Sequence, residues 1–388
     1  MAAIVRFARA LVAAPSPSGS EGEVARRTEE EMRRLGFSVA VDDWGNVVGS
    51  LGPPSGPCVL LDAHMDTVGV TNPGEWAHDP AGELSDGRLY GRGAMDMKGP
   101  LAAAVHGIAS LAGSLGSARV VVCASVAEEL VEGPALAHVL DLVEPEFVIV
   151  CEATSLKIAR GQRGRAEISV EVLGRTTHSS RPDLGVNAAD AMASVLVALR
   201  RFEAPEHPVL GKGILVPTDV RSEPYPGLSV VPDYCAATLD RRTLPGEAAA
   251  DVLAPLRRLA EGALADSGAR LRLSIATDDF ETYTGSRVTA TNFAPAWFFD
   301  EDALVVSESL QALAEAGISS GLSHYSFCTN GSASAGQRGI PTVGFGPGDE
   351  RLAHRVEEHV EVAELGLAAR GYAAIAGRLA RRLSAKHE

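Results

Sequence analysis

Histidine and acidic residues recur along this 388-residue chain in an order that suits metal binding. Imidazole and carboxylate are the ligands that zinc takes when its fourth position must stay open to water, and one bridging carboxylate can hold two ions close together. The ordered set therefore predicts a two-metal hydrolytic site. Its members are His64, Asp66, Asp96, Glu128, Glu129, Glu152 and His354.

Three predicted strands would bring these residues together. The apolar runs 58–62, 120–125 and 147–151 each end just before members of the set. In open α/β sheets, ligands bind beyond the carboxyl ends of the strands, so these coincidences predict one site at one sheet edge. An Ala-rich helix is predicted over 98–111, directly after Asp96.

The length of the chain predicts two domains, because a single hydrophobic core stops growing at about 250 to 300 residues. After 161–164 the sequence alternates between apolar and polar residues, as in a half-exposed antiparallel strand. A helical pattern at 303–316 then leads back towards His354. We predict a discontinuous catalytic domain formed by residues 1–164 and 288–388, interrupted by an α+β domain at 165–287.

Charge and cysteine content narrow the class of protein. A formal net charge of -15 argues against nucleic acid or an anionic membrane as a partner. Five cysteines without a CxxC spacing favour a reducing compartment, and Arg6 and Arg9 interrupt the apolar N-terminus, which argues against a signal peptide or a spanning helix. We therefore predict a cytoplasmic protein.

Taken together, the motifs resemble the co-catalytic zinc amidohydrolase and metallopeptidase family. This family includes acetylornithine deacetylase, succinyl-diaminopimelate desuccinylase, aminoacylase and glutamate-releasing carboxypeptidase. The resemblance covers essentially the whole chain. The motifs that carry it are His64-x-Asp66, Gly91 to Gly99, Glu128-Glu129, Glu152, Ala353-His354, Thr177 to Ser180 and Val231 to Arg242.

The resemblance implies an α/β fold: a zinc-peptidase-like catalytic domain with a mixed central sheet flanked by helices, plus a smaller ferredoxin-like α+β lid and dimerisation domain. It also implies two Zn²⁺ ions per chain. Asp96 would bridge them, His64 and Glu152 would complete one coordination set, and Glu129 and His354 the other. Co²⁺ or Mn²⁺ could occupy the same positions.

Two further roles follow from the resemblance. Glu128 would be the general base that takes a proton from the water between the metals. Asp66 would accept a hydrogen bond from the imidazole of His64 and fix its tautomer. The alternative for Asp66 is a cap of the following turn at Thr67.

His178 and Arg242 are implied to act on the substrate from the inserted domain. The His178 imidazole would donate to the developing oxyanion, either in its own subunit or across a homodimer; otherwise it is a surface histidine in a polar turn. Arg242 would bind the carboxylate of the substrate. This chain carries Ser229 where many relatives have an Asn, and Arg242 could instead pair with Asp240 or Asp233.

Asn330 and Gly331 are predicted to bind substrate, because their Gly-containing loop could bring backbone close to a ligand. Ordinary turns would explain this loop almost as well. The predicted reaction is hydrolysis of an amide bond in a small-molecule N-acyl amino acid or short peptide.

Two alternatives to this reaction stay open. One is a carbamoyl or ureido amidohydrolase of the same fold, although such relatives tend to carry His where this chain has Glu152. The other is a catalytically silent binding or scaffold protein, which the intact Glu128 disfavours.

Overall fold

The computed structural model describes residues 1–387. The helices are α1 (Ala2–Val12), α2 (Gly22–Arg34), α3 (Gly99–Ala109), α4 (Pro134–Val143), α5 (Ala188–Leu199), α6 (Ala249–Leu264), α7 (Leu304–Glu315) and α8 (Val362–His387). Among the helices of residues 1–387, none combines the length and apolar character that a membrane crossing requires.

The strands, in chain order, are β1 (Ser38–Val41), β2 (Val47–Leu51), β3 (Cys58–His64), β4 (Glu83–Ser85), β5 (Arg88–Tyr90), β6 (Arg119–Ser125), β7 (Phe147–Val150), β8 (Ile158–Gln162), β9 (Gly164–Leu173), β10 (Thr177–His178), β11 (Glu206–His207), β12 (Gly211–Lys212), β13 (Ile214–Glu223), β14 (Val230–Val231), β15 (Tyr234–Thr243), β16 (Arg270–Ile275), β17 (Thr277–Glu281), β18 (Arg287–Thr291), β19 (Phe293–Ala294), β20 (Trp297–Phe298), β21 (Leu322–Tyr325), β22 (Thr342–Gly344) and β23 (His359–Glu361).

The chain forms two compact units. The first comprises Met1–Gln162, Asp279–Thr289 and the chain from Trp297 onward, and the second comprises Arg163–Asp278 and Ala290–Ala296. The sequence-based boundary at 287/288 differs from this division, because 279–287 lies in the first unit. There the Tyr283 hydroxyl donates to the carbonyl of Gly45 at 2.9 Å.

A mixed sheet forms the centre of the first unit, with strand order β1-β2-β6-β3-β7-β22-β8-β20 and β21 beside β8. β3 pairs in parallel with β6 and β7, whereas β2 pairs antiparallel with β6. Every residue of β3 is buried, as expected for a strand covered on both faces. Alternate residues of β3 belong to two different core clusters: Val59 and Leu61 pack with α1, α3 and α8, and Cys58 and Leu60 pack with α4.

The second unit has the element order β9-α5-β13-β15-α6-β16 and the sheet order β13-β15-β9-β16, a ferredoxin-like arrangement. Buried residues alternate with partly exposed ones along β9 and β15, and the buried ones pack under α5 and α6. β13 was not predicted from the sequence, because it is an edge strand with six consecutive exposed residues and lacks such alternation.

Candidate metal centre

The ends of three neighbouring strands bring the first group of candidate ligands together. His64 is the last residue of β3 and is 1% exposed. Its Nε2 lies 3.1 Å from Asp96 Oδ1 and 3.3 Å from Glu152 Oε1. Glu152 follows β7 and Glu128 follows β6. Because β3 pairs in parallel with both strands, the side chains of His64, Glu128 and Glu152 lie at the same, carboxyl end of the three strands.

Asp96 lies between the two histidines of the set. It belongs to the turn Ala94–Lys98 that precedes α3. Its Oδ1 faces His64, and its Oδ2 lies 3.4 Å from Nε2 of His354, which in turn lies 2.9 Å from Glu129 Oε2. One carboxylate therefore presents a different oxygen to each imidazole, which is the arrangement that a bridging ligand requires.

Among residues 1–387, three groups of side chains have ligand atoms that all lie within 4.8 Å of one another, and two of these groups include His64. These two are His64 with Glu128 and Glu152, and His64 with Asp96 and Glu129. Without Asp66, the predicted set contains four carboxylates and only two imidazoles, so it carries excess negative charge that divalent cations would neutralise. Oxygen and imidazole donors of this kind suit zinc and similar metals, and the residues present fit two such ions.

Burial and crowding shift the ionisation of this cluster. Burial and the nearby Asp96 charge raise the pKa of Glu152 to about 7. Burial also raises the pKa of Glu128 well above its ordinary value, and neighbouring carboxylates add to this shift. Hydrogen bonds to Asp96 and Glu129 raise the pKa of His354 to about 10. Although burial alone would lower it, hydrogen bonds to carboxylates raise the pKa of His64.

The contacts of Asp66 only partly match the predicted role. His64 Nδ1 lies 2.9 Å from the main-chain oxygen of Asp66 and 3.4 Å from its carboxylate, so the backbone carbonyl is the closer acceptor. The carboxylate accepts the N–H groups of Glu128 at 3.1 Å and Glu129 at 3.0 Å, and the hydroxyl of Ser18 at 2.6 Å. Asp66 therefore orients His64 mainly through its backbone and holds the Glu128-Glu129 turn through its side chain.

In the second unit, His178 and Arg242 have local partners. The Ser180 N–H donates to Nδ1 of His178 at 3.1 Å, so the neutral ring carries its proton on Nε2. Arg242 donates twice to Asp240, at 2.8 and 3.2 Å. This is one of the two ion pairs that the sequence left open for Arg242.

Asn330 and Gly331 are buried. The Asn330 amide donates to Asp62 at 2.9 Å and to Ser125 at 3.2 Å, and its oxygen accepts the N–H of Gly133 at 2.8 Å. A Cβ at Gly331 would lie 2.8 Å from Nε1 of Trp297. The Asn330 side chain therefore connects Asp62, Ser125 and Gly133, and substrate binding by Asn330 and Gly331 stays a prediction.

Sequence reasoning missed Glu358. Its side chain is fully buried and accepts the main-chain N–H groups of Met95 and Asp96. The only signal in the sequence is an acidic residue four positions after His354. Its burial depends on the folded chain and could not be read from local pattern.

A central sheet covered by helices, with a cluster of histidines and carboxylates at the carboxyl ends of its strands, is the architecture expected of a metal-dependent hydrolase. Residues 60–378 match the sequence model of Peptidase family M20/M25/M40, and the chain belongs to this family. It is a metal-dependent amidohydrolase or peptidase, which confirms the family and enzyme class predicted from the motifs.

The chain is similar to several proteins along most of its length. It is 35% identical over 382 residues to the uncharacterized protein YgeY of Escherichia coli strain K12, covering 96% of this chain and 93% of YgeY. It is 26% identical over 333 residues to acetylornithine deacetylase of Buchnera aphidicola, covering 84% and 81% of the two chains.

Solved structures share the fold. Aminopeptidase PepT from Bacillus cereus has a TM-score of 0.74 at 19% identity, covering 98% of both chains. YxeP of Bacillus subtilis, described as a dinuclear metal binding peptidase, has a TM-score of 0.72 at 16% identity, covering 97% of this chain and 98% of YxeP. These matches confirm the predicted α/β fold with its mixed central sheet.

Proposed function

We propose that this protein is a dinuclear zinc hydrolase that cleaves the amide bond of an N-acyl amino acid or short peptide. The observation that carries this proposal is the position of Asp96, with one oxygen towards His64 and the other towards His354. In the proposed centre Asp96 would bridge two ions, His64 and Glu152 would complete one coordination set, and Glu129 and His354 would complete the other. The acetylornithine deacetylase and PepT names support an acylated amino acid or a peptide as substrate.

When bound, two divalent cations would polarise the scissile carbonyl and lower the pKa of the attacking water. Glu128 is the residue that we assign to proton transfer. Its Oε2 lies 4.0 Å from His64 Nε2, farther than the nearest oxygens of Asp96 and Glu152. A carboxylate in this position could accept a proton from water and return it to the leaving amine.

Asp66 supports this proton transfer. By accepting the adjacent N–H groups of Glu128 and Glu129, it fixes the turn in which one carboxylate faces His354 and its neighbour stays near His64. The two adjacent glutamates can therefore serve different roles.

We assign oxyanion stabilisation to His178. The Ser180 N–H occupies Nδ1, which leaves the proton on Nε2 as a donor. Such a donor typically contributes about 10²- to 10³-fold to turnover. We assign no substrate contact to Arg242, because its Nε and Nη2 are already bonded to Asp240.

We also propose that the second unit mediates a homodimer. β13 lies at the edge of its sheet and exposes Val216 and Val220 by 46% and 52%. An edge strand with unpaired backbone groups and exposed apolar residues is a template for pairing with another chain. Light scattering should give twice the chain mass, and the double substitution Val216→Lys with Val220→Lys should give the monomer.

The cytoplasmic location of the protein stays a prediction.

The proposed function can be tested by measuring metal content and hydrolysis on the same protein. Purified chain would be assayed with and without added zinc against N-acetyl, N-succinyl, N-carbamoyl and dipeptide substrates. We expect about two metals per chain and chelator-sensitive amine release from an acyl or peptide substrate. Release only from the N-carbamoyl substrates would favour the ureido alternative, and a chain that binds no metal would refute the centre.

A further inference from the structure

The main chain at Asp96 is held by a residue that is distant in sequence. Asp96 has non-helical backbone angles, φ −120° and ψ 88°, within the turn before α3. Its N–H is therefore not satisfied by a helix, and a buried N–H requires an acceptor. Glu358 provides it: its Oε1 accepts the N–H groups of Met95 and Asp96, both at 3.1 Å.

Glu358 is itself firmly held. Its side chain is fully buried, and its Oε2 accepts a hydrogen bond from Nη1 of Arg92 at 2.5 Å. Arg92 is only 5% exposed and also donates from Nε to the carbonyl of Gly69 at 3.2 Å. The Glu358 carboxylate thus has a fixed direction, set by a guanidinium on one side and two backbone amides on the other.

Glu358 also connects two segments of the chain that carry proposed metal ligands. Its carbonyl accepts the N–H of Gly91 at 2.9 Å, and the next strand, β23, pairs antiparallel with β5. Glu358 lies only four residues after His354. A single residue therefore ties the segment that carries His354 to the turn that carries Asp96, through both its main chain and its side chain.

We propose that Glu358 is a positioning residue of the metal centre, whose carboxylate sets the backbone of Asp96 so that its two oxygens face His64 and His354. This inference rests on the proposed dinuclear function. Groups that orient metal ligands typically alter metal affinity or activity by about 10- to 100-fold when they are changed. The competing explanation is that Glu358 and Arg92 form a buried ion pair that only stabilises the fold.

Two substitutions separate these explanations. Glu358→Asp keeps the charge beside Arg92 but is one methylene too short to reach both amide N–H groups as well. Glu358→Gln keeps the length and an acceptor oxygen for those amides but removes the charge. Positioning predicts the larger loss of metal affinity for Glu358→Asp, whereas an ion pair alone predicts the larger loss of stability for Glu358→Gln and no specific change in metal binding.

The measurements are Zn²⁺ affinity by competition with a chelator, the absorption spectrum of the Co²⁺-loaded protein, thermal unfolding, and kcat and KM. Glu361→Gln is the control, because Glu361 lies three residues away in an exposed pair with Arg88. We expect Glu358→Asp to weaken metal binding by about 10- to 100-fold, to alter the Co²⁺ spectrum and to lower kcat more than it raises KM. Glu361→Gln should match the wild type.

Each outcome decides the proposal. A folded Glu358→Asp with wild-type affinity and spectrum overturns it. If Glu358→Asp does not fold, the double variant Arg92→Met with Glu358→Met takes its place, because it removes both acceptor oxygens and leaves no unpaired buried charge. Wild-type metal affinity and spectrum in this variant overturn the proposal, and a loss of about 10- to 100-fold supports it. A wild-type protein that binds no metal would instead refute the proposed function, so the two failures are distinguishable.

Discussion

The two histidines of the candidate centre are held in different ways. His64 ends a fully buried strand with a parallel neighbour on each side. His354 lies in a loop in left-handed conformation, with φ 61°, and its side chain is 50% exposed. The sheet therefore fixes the position of His64. The position of His354 depends on nearby side chains of its own segment, which bond to other parts of the chain.

Glu357 and Glu358 are those side chains. Glu357 accepts the N–H groups of Ala77 and His78 at 2.6 and 3.2 Å, and Glu358 accepts those of Met95 and Asp96. The comparison teaches that backbone pairing alone can place a ligand at a strand end, whereas a ligand on a loop needs dedicated acceptors. We call the His64 and His354 parts the strand side and the loop side.

The largest expected effect is a loss of turnover in a variant that keeps all the proposed metal ligands. Glu128→Gln removes the proposed proton acceptor but no ligand of the strand side or the loop side. Turnover should fall by about 10²- to 10⁴-fold, while metal content, measured by atomic absorption, stays near the wild-type value. Loss of metal from this variant would show that Glu128 is a ligand and not the base.

A second prediction separates the two sides directly. His354→Ala should leave about one metal per chain, because His64, Asp96 and Glu152 remain together on the strand side. His64→Ala should lose more metal, because its Nε2 faces both Asp96 and Glu152. Metal titration by calorimetry would compare them, and equal losses would remove the distinction between the sides.

The next effect tests how the strand side positions Glu128. Asp66→Asn replaces one acceptor oxygen with an amide donor, so it cannot accept both N–H groups of Glu128 and Glu129. Activity should fall by about 10- to 100-fold, measured as kcat/KM. Ser18→Ala removes only the hydroxyl bond to Asp66 and should cost less; an equal loss would contradict the role given to the two amides.

The smallest effect on activity is expected at Asn330. Asn330→Ala leaves Asp62 and Gly133 with unsatisfied polar groups and should lower the free energy of unfolding by about 1 to 3 kcal/mol, with kcat/KM unchanged once the protein is folded. Urea unfolding would measure this, with the exposed amide variant Gln311→Ala as the control. A raised KM without lost stability would instead support the prediction that Asn330 binds substrate.

The same variant has an expected pH dependence. Burial raises the pKa of Asp62, and the hydrogen bond from Asn330 partly offsets this by favouring the charged form. Since the folded-state pKa lies above the unfolded value, ionisation of Asp62 costs stability as pH rises through it. The loss of unfolding free energy caused by Asn330→Ala should therefore be larger above the pKa of Asp62 than below it. Urea unfolding at a series of pH values would measure this.

The strand side was largely predictable from sequence, because apolar runs followed by His64, Glu128 and Glu152 report strand ends directly. The loop side was not. His354 belonged to the ordered set, but no predicted strand end placed it beside the other members. Glu358 could not be distinguished from a surface acid until the fold showed its burial. The buried contacts of Asn330 could not be predicted for the same reason, since a Gly-containing loop looks alike in sequence whether it faces solvent or the core.

The exposure of His354 has a consequence for how the enzyme would respond to its surroundings. A cation held by His354 would lie beside a half-exposed imidazole, whereas one held by His64 would lie beside a buried one. The ion next to His354 should therefore exchange faster. Activity would then depend on how much metal is available to refill the position next to His354.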